Sequence, residues 1–131
     1  LKTKRLLVAL TMIAAVTMAL PAAASAFEIA RFVIAGDIQD REPVFASSWF
    51  SSDTEKVYCF LEAVNIVEDT RVSFVWFHQG EEAARIELGI AKGDRWRTYS
   101  SKSIGERTGT WEVQLQDERG MALKSISFEI R

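Results

Sequence analysis

The sequence predicts an all-β fold: a single antiparallel β-sandwich, immunoglobulin-like, of about seven strands following a cleavable leader. Three observations predict it. Apolar and polar residues alternate with period two in run after run. Turn residues interrupt those runs at roughly ten-residue intervals. Val, Ile, Phe, Trp, Tyr and Thr dominate between the turns, and no run carries the periodicity of an amphipathic helix.

The first strand is expected within Phe27 to Ile38, with Gly36-Asp37 near its end. Residues 39–53 (QDREPVFASSWFSSD) hold Pro43 and a Ser-rich run, and read as an irregular connection crossing between sheets. In the strand Lys56 to Val64, Val57, Cys59, Leu61 and Ala63 share one face. Tyr58 and Phe60 lie on the other, so both faces need cover. Arg71 to His78 follows, with Val72, Phe74 and Trp76 alternating. Gln79-Gly80 is a two-residue hairpin signal, because Gly accepts the positive φ that such a turn requires. The return strand runs from Ala83 to Leu88 or Ile90, and Lys92-Gly93-Asp94 turns the chain into Arg95 to Ser101. After the loop Gly105 to Gly109, Thr110 to Gln116 points Trp111, Val113 and Leu115 inward. The last strand lies in Met121 to Ile130. Burying one face of each strand requires a second sheet, hence a sandwich.

Ahead of these strands the chain has the three parts of an export signal. Lys2, Lys4 and Arg5 are a positive n-region, and Leu6 to Leu20 is an uncharged apolar run. That run is shorter than the roughly 20 residues of a spanning helix. Pro21 then precedes small residues, and Ala24-Ser25-Ala26 fits the peptidase pattern, with cleavage expected after Ala26. The expected domains are therefore a signal peptide, 1–26, and a β-domain, 27–131, that is periplasmic or secreted. No stable membrane insertion is expected once the leader is cut.

Charge narrows the partners. The whole chain has 16 basic and 18 acidic residues. Without Lys2, Lys4 and Arg5 the balance is 13 against 18, a net of about −5. Nucleic-acid binding depends on phosphate neutralisation, so an acidic domain argues against it. Cys59 is the single cysteine, which excludes an intramolecular disulfide. Inside the apolar run VYCFLEAV it reads as a small buried hydrophobe, with a covalent dimer as the alternative.

Several segments occur together in an order that carries a resemblance: DREPV at 40–44, VYCF at 57–60, VWFHQGEEAARIEL at 75–88, RWRTYSSK at 95–102, GTWEVQLQDERGMAL at 109–123 and a final SFEI. In these the chain resembles the bacterial domain-of-unknown-function family 2914, with RWRTYSSK the most specific part. The resemblance implies a small β-sandwich-like domain that is exported or membrane-attached. It implies no established activity, cofactor or catalytic residue.

The densest polar-aromatic segment is Arg95 to Lys102. Extended, it points Arg95, Arg97, Tyr99 and Ser101 one way and Trp96, Thr98, Ser100 and Lys102 the other. Two arginines beside a tyrosine can grip a carboxylate or phosphate in bidentate fashion and stack on a sugar or peptide. They can equally form a structural ladder, pairing with cross-strand Glu and lying over aromatic faces. Trp49, with Phe50, sits outside any alternating run and is either an exposed contact platform or a plug for one end of the sandwich.

No catalytic set is visible. His78 is the one histidine, expected exposed at a hairpin edge, and no second His or Cys accompanies it for zinc. Glu81-Glu82 would point to opposite faces of a strand. The ligand-binding candidates are thus Arg95, Arg97, Tyr99 and Trp49, with no catalytic residue, no metal and no cofactor. The expected function is a non-enzymatic envelope binding or interaction module for a partner protein or an anionic glycan. The alternative is a structural accessory of an envelope enzyme or transport complex, with a hydrolase a lesser option.

Overall fold

The structure is a computed structural model that describes residues 26–131; the expected leader, except its last residue Ala26, lies outside the described residues. Nine strands form two sheets: β1 (Glu28–Gln39), β2 (Glu42–Ala46), β3 (Trp49–Phe50), β4 (Lys56–Ile66), β5 (Thr70–His78), β6 (Glu81–Ile90), β7 (Gly93–Ser103), β8 (Gly109–Gln116) and β9 (Ala122–Ile130). The first sheet has the order β2-β1-β4-β7 and the second β3-β9-β8-β5-β6. The all-β sandwich expected from the period-two runs is therefore what forms. β4 and β5, β6 and β7, and β7 and β8 are consecutive in the chain yet lie in opposite sheets, the exchange that characterises immunoglobulin-type sandwiches. Among the described residues no helix is long and apolar enough to cross a membrane.

Two strands correct the expectation of about seven. Both lie in 39–53, read above as irregular. Asp40 and Arg41 adopt φ of 50° and 61°, a two-residue turn of the primed type that brings β2 back against β1. Without glycine at either position the sequence gives no hairpin signal there. Pro43 is tolerated because β2 is an edge strand. β3 is two residues long and runs parallel to the end of β9, Trp49 opposite Glu129 and Phe50 opposite Ile130. The chain does cross between sheets here, from β2 to β3. Lys92-Gly93 likewise marks a crossing rather than a hairpin, since β6 and β7 belong to different sheets.

The inner faces supply the core expected from the alternation. Val57, Cys59, Leu61 and Ala63 of β4 oppose Val72, Phe74 and Trp76 of β5 and Trp111, Val113 and Leu115 of β8, all buried. Phe128 links the aromatic cluster: its ring meets Trp76 edge-on at 6.1 Å, stacks on Trp111 at 6.0 Å and meets Phe50 edge-on at 6.0 Å. Phe50 therefore closes one side of the core, so of the two alternatives for the Trp49-Phe50 pair the plug applies to Phe50 alone. The Trp76 indole N–H donates across the sandwich to Ser100 Oγ at 3.0 Å. No buried side-chain polar atom among the described residues lacks a partner.

Two tests follow from this core. Ser100→Ala leaves the buried Trp76 N–H unsatisfied and should lower unfolding stability by about 1–3 kcal/mol in urea titration. Cys59 is fully buried, and burial pushes its thiol pKa well up. Its reaction with a disulfide reagent should be negligible in the native state and complete only in denaturant. Rapid native labelling would disprove the closed core.

Candidate functional site

β7 pairs with β4 in one unbroken register, so Arg95, Arg97, Tyr99 and Ser101 lie opposite Val64, Glu62, Phe60 and Tyr58 on the outer face of the first sheet. The expected sidedness of the Arg/aromatic strand holds. Phe60 also points outward, yet it is only 1% exposed. The β1–β2 hairpin explains this.

After Ala35, β1 leaves β4 and pairs with β2 alone. Gly36 marks the departure, where a Cβ would come within 3.2 Å of Phe45 Cβ. Phe45 itself takes φ of 58°, a left-handed conformation that re-aims β2. Arg31 and Gln39 would stand about 26 Å apart on a straight strand. Glu42, which faces Gln39 in the hairpin, nevertheless bonds to Arg31. The hairpin must therefore curl back over the outer face, bringing Ile38 and Arg41 beside Phe60.

Five charged side chains hold it there. Arg31 donates to both oxygens of Glu42, at 2.7 and 3.1 Å, and to Glu62 at 2.7 Å. Arg95 donates to Glu62 from Nε at 3.0 Å and from Nη2 at 2.8 Å. Arg97 reaches past its register neighbour Glu62 to Glu42, at 2.6 Å. The Arg31 guanidinium also lies 4.8 Å over the Phe60 ring. The Glu62 side chain is only 13% exposed, and Arg31 holds its carboxyl below the ordinary range, with help from Arg95. Hydrogen bonds from Arg31 and then Arg97 lower the Glu42 carboxyl from 4.5 to about 2, and the bonds to Glu42 and then Glu62 raise Arg31.

Beside this network lies a groove of about 560 Å³, lined by Ile38, Arg41, Phe60 and the consecutive residues Arg95, Trp96, Arg97, Thr98 and Tyr99. Three arginines and no acidic residue line it. Arg41 makes no ion pair among the described residues, whereas Arg95 and Arg97 are already engaged. Trp96 and Tyr99 are partly exposed.

The candidates named from sequence are thus only partly brought together. Arg95, Arg97 and Tyr99 share the groove. Trp49 does not: it is on β3, in the second sheet, half-exposed, with the Arg131 guanidinium 5.2 Å from its ring. It is a strand residue and not the loop aromatic expected. His78 is half-buried, correcting the expectation of exposure. Its ring packs 4.6 Å from that of Trp111, and Nε2 lies 2.7 Å from the Thr108 carbonyl oxygen. No cluster of His, Cys, Asp and Glu able to hold a metal occurs among the described residues. Arg31, Arg41, Glu42 and Glu62 escaped the sequence reading. One signal was present, since Glu62 is a lone charge in the apolar run VYCFLEAV, and such a charge requires a partner.

Fold and site together define a small β-sandwich with an arginine-rich, partly aromatic outer face. Residues 69–130, which run from β5 to β9 and include the Arg/aromatic strand, match the model of a family described as Protein of unknown function (DUF2914). That match bears out the resemblance to this family over these residues. No curated protein matches the chain. Among solved structures it is similar to part of a β-glucosidase from Kluyveromyces marxianus, at 9% identity and a TM-score of 0.47, over 80% of this chain and 14% of that one. It is also similar to part of the β-glucosidase from Listeria innocua in complex with glucose, at 7% identity and a TM-score of 0.45, over 79% and 15%. A mutant of the Listeria innocua enzyme in complex with laminaribiose gives 6% identity and a TM-score of 0.48, over 80% and 16%. The chain spans about a sixth or less of those enzymes, and their activity is no guide to its own.

The network has a pH signature. A carboxyl lowered by folding stabilises the native state fully above its unfolded pKa and loses that contribution as pH falls through the folded one. Thermal stability should therefore decline between pH 4.5 and about 2 as Glu42 protonates. Glu42→Gln should start lower at neutral pH and show a flatter profile in that window. Superimposable melting curves for the two proteins would exclude a stabilising role for Glu42.

Proposed function

We propose that this protein is an exported, non-enzymatic binding module of the cell envelope that recognises an acidic group on a partner protein or an anionic glycan. One observation carries the reading: three arginines line one groove together with Trp96 and Tyr99, with no acidic residue in the lining, in a chain that is acidic overall. Guanidinium groups match carboxylate and phosphate geometry, and aromatic faces supply stacking area for a sugar or a peptide plane. The hairpin adds Arg41 from the side opposite β7, so a bound anion would be held from two directions. Export rests on the leader, with its positive n-region, apolar run and Ala24-Ser25-Ala26.

A second reading draws on a different observation. Arg95 and Arg97 are each hydrogen-bonded to a glutamate, the arrangement of a structural ladder, which suits a structural accessory of an envelope enzyme or transport complex. Arg41 separates the two readings because it binds no glutamate. Oligogalacturonate and an acidic peptide serve as probes in calorimetric titration at low salt. The binding reading expects association that weakens with added salt. Arg41→Ala should weaken it roughly tenfold while leaving the melting temperature unchanged. Absence of association with both probes at low ionic strength would favour the accessory role.

A further inference from the structure

Four strands end the two sheets, and three of them are guarded. β2 has five residues, including Pro43 and the left-handed Phe45, and β3 has two. β6 has ten, and its pairing with β5 is interrupted by a bulge at Trp76/Phe77. Short strands, prolines and bulges are the usual protection of a sheet edge. β7 lacks all three. It has eleven residues, keeps a single register with β4 from Lys56↔Ser103 to Ile66↔Gly93, and pairs with no other strand. In an antiparallel pair, alternate residues turn both N–H and C=O away from the partner strand. β7 therefore presents a row of open donors and acceptors, closed at its C-terminal end, where the Ser103 carbonyl accepts from Lys102 Nζ and Arg107 Nη2.

The groove lies over the outer face and reaches this strand, since its lining joins Ile38, Arg41 and Phe60 with all five residues from Arg95 to Tyr99, whose side chains alternate between the two faces. On the outer side it meets Arg95, Arg97 and Tyr99. On the inner side it meets Thr98 and Trp96, and Trp96 also lines a second cavity with Gly89, Ile90 and Ala91 at the mouth between the sheets.

We infer that β7 is a strand-addition site, whose occupant is an extended segment of a partner polypeptide with carboxylates at alternate positions and apolar residues between them. The inference rests on the proposed reading of this groove as a site for acidic ligands and names the ligand. Backbone of the added strand takes up the open N–H and C=O groups, a ladder spaced at about 3.3 Å per residue that a sugar chain does not reproduce. Its carboxylates meet Arg95, Arg97 and Arg41, and its apolar residues cover Trp96 and Thr98. A second copy of β7 in that place would set arginine-rich faces side by side, which like-charge repulsion disfavours. An acidic partner has the complementary charge.

The test uses the 15N-labelled protein and acetyl-(Glu-Val)4-Glu-amide. Binding is followed by NMR titration and by amide exchange. Two further peptides are N-methylated at either the odd or the even positions, which removes the donors on one edge. An oligogalacturonate of matched charge is the comparison ligand. The expected result is binding of the plain peptide with exchange at the outward β7 amides slowed by about tenfold or more, and weakened binding for one of the two methylated peptides. If peptide and oligogalacturonate bind alike and the β7 amides stay unprotected, strand addition is overturned while recognition of anions stands. If neither ligand binds at low salt, both are overturned.

Discussion

β4 buries its whole inner face and also Phe60 on its outer face, and most of the molecule follows from that constraint. Its inner residues Val57, Cys59, Leu61 and Ala63 build the core against the second sheet. Its outer residue Phe60 is as well sealed as they are. A two-layer sandwich covers only the inner face of each sheet, so the outer ring needs a lid. The β1–β2 hairpin provides it. The bend after Ala35, the positive φ values at Asp40, Arg41 and Phe45, and the Arg–Glu network all serve that fold-back.

The network positions more than it stabilises. Its side chains range from 13% to 50% exposed, and at that depth ion pairs contribute modestly because water screens them. What the geometry supplies is direction. Arg31 uses both Nη atoms to bind two glutamates from different strands, which fixes where the hairpin tip lies. Stability comes instead from the aromatic interior around Phe128, Trp76 and Trp111. Cys59 of β4 is the single cysteine, so no disulfide joins the sheets, and the Trp76–Ser100 hydrogen bond spans them instead.

The lid also creates the groove. Curling the hairpin over Phe60 brings Arg41 beside Arg95 and Arg97, which lie 54 and 56 residues further along the chain. Two have glutamate partners and one does not, so the face holds together while keeping a charge for a ligand. The same face continues onto β7, the longest edge strand. Cover for an apolar ring, surplus positive charge and open backbone thus meet in one place.

The sequence by itself determined the strands whose signal is local. Alternation of Val57/Cys59/Leu61/Ala63, Val72/Phe74/Trp76 and Trp111/Val113/Leu115 marks an inner face, because a strand repeats every two residues and water excludes apolar surface. Gln79-Gly80 marked its hairpin through the conformational freedom of glycine. The sidedness of Arg95, Arg97 and Tyr99 was legible for the same reason. Tertiary structure alone decided that residues 39–53 contain β2 and β3. Asp40 and Arg41 are held at positive φ, and β3 by two residues of pairing, through contacts made elsewhere in the chain. It alone parted Trp49 from the arginines by placing it in the other sheet. It alone joined Arg31, Glu42, Glu62 and Arg97, whose attraction acts through space and leaves no periodic trace along the sequence.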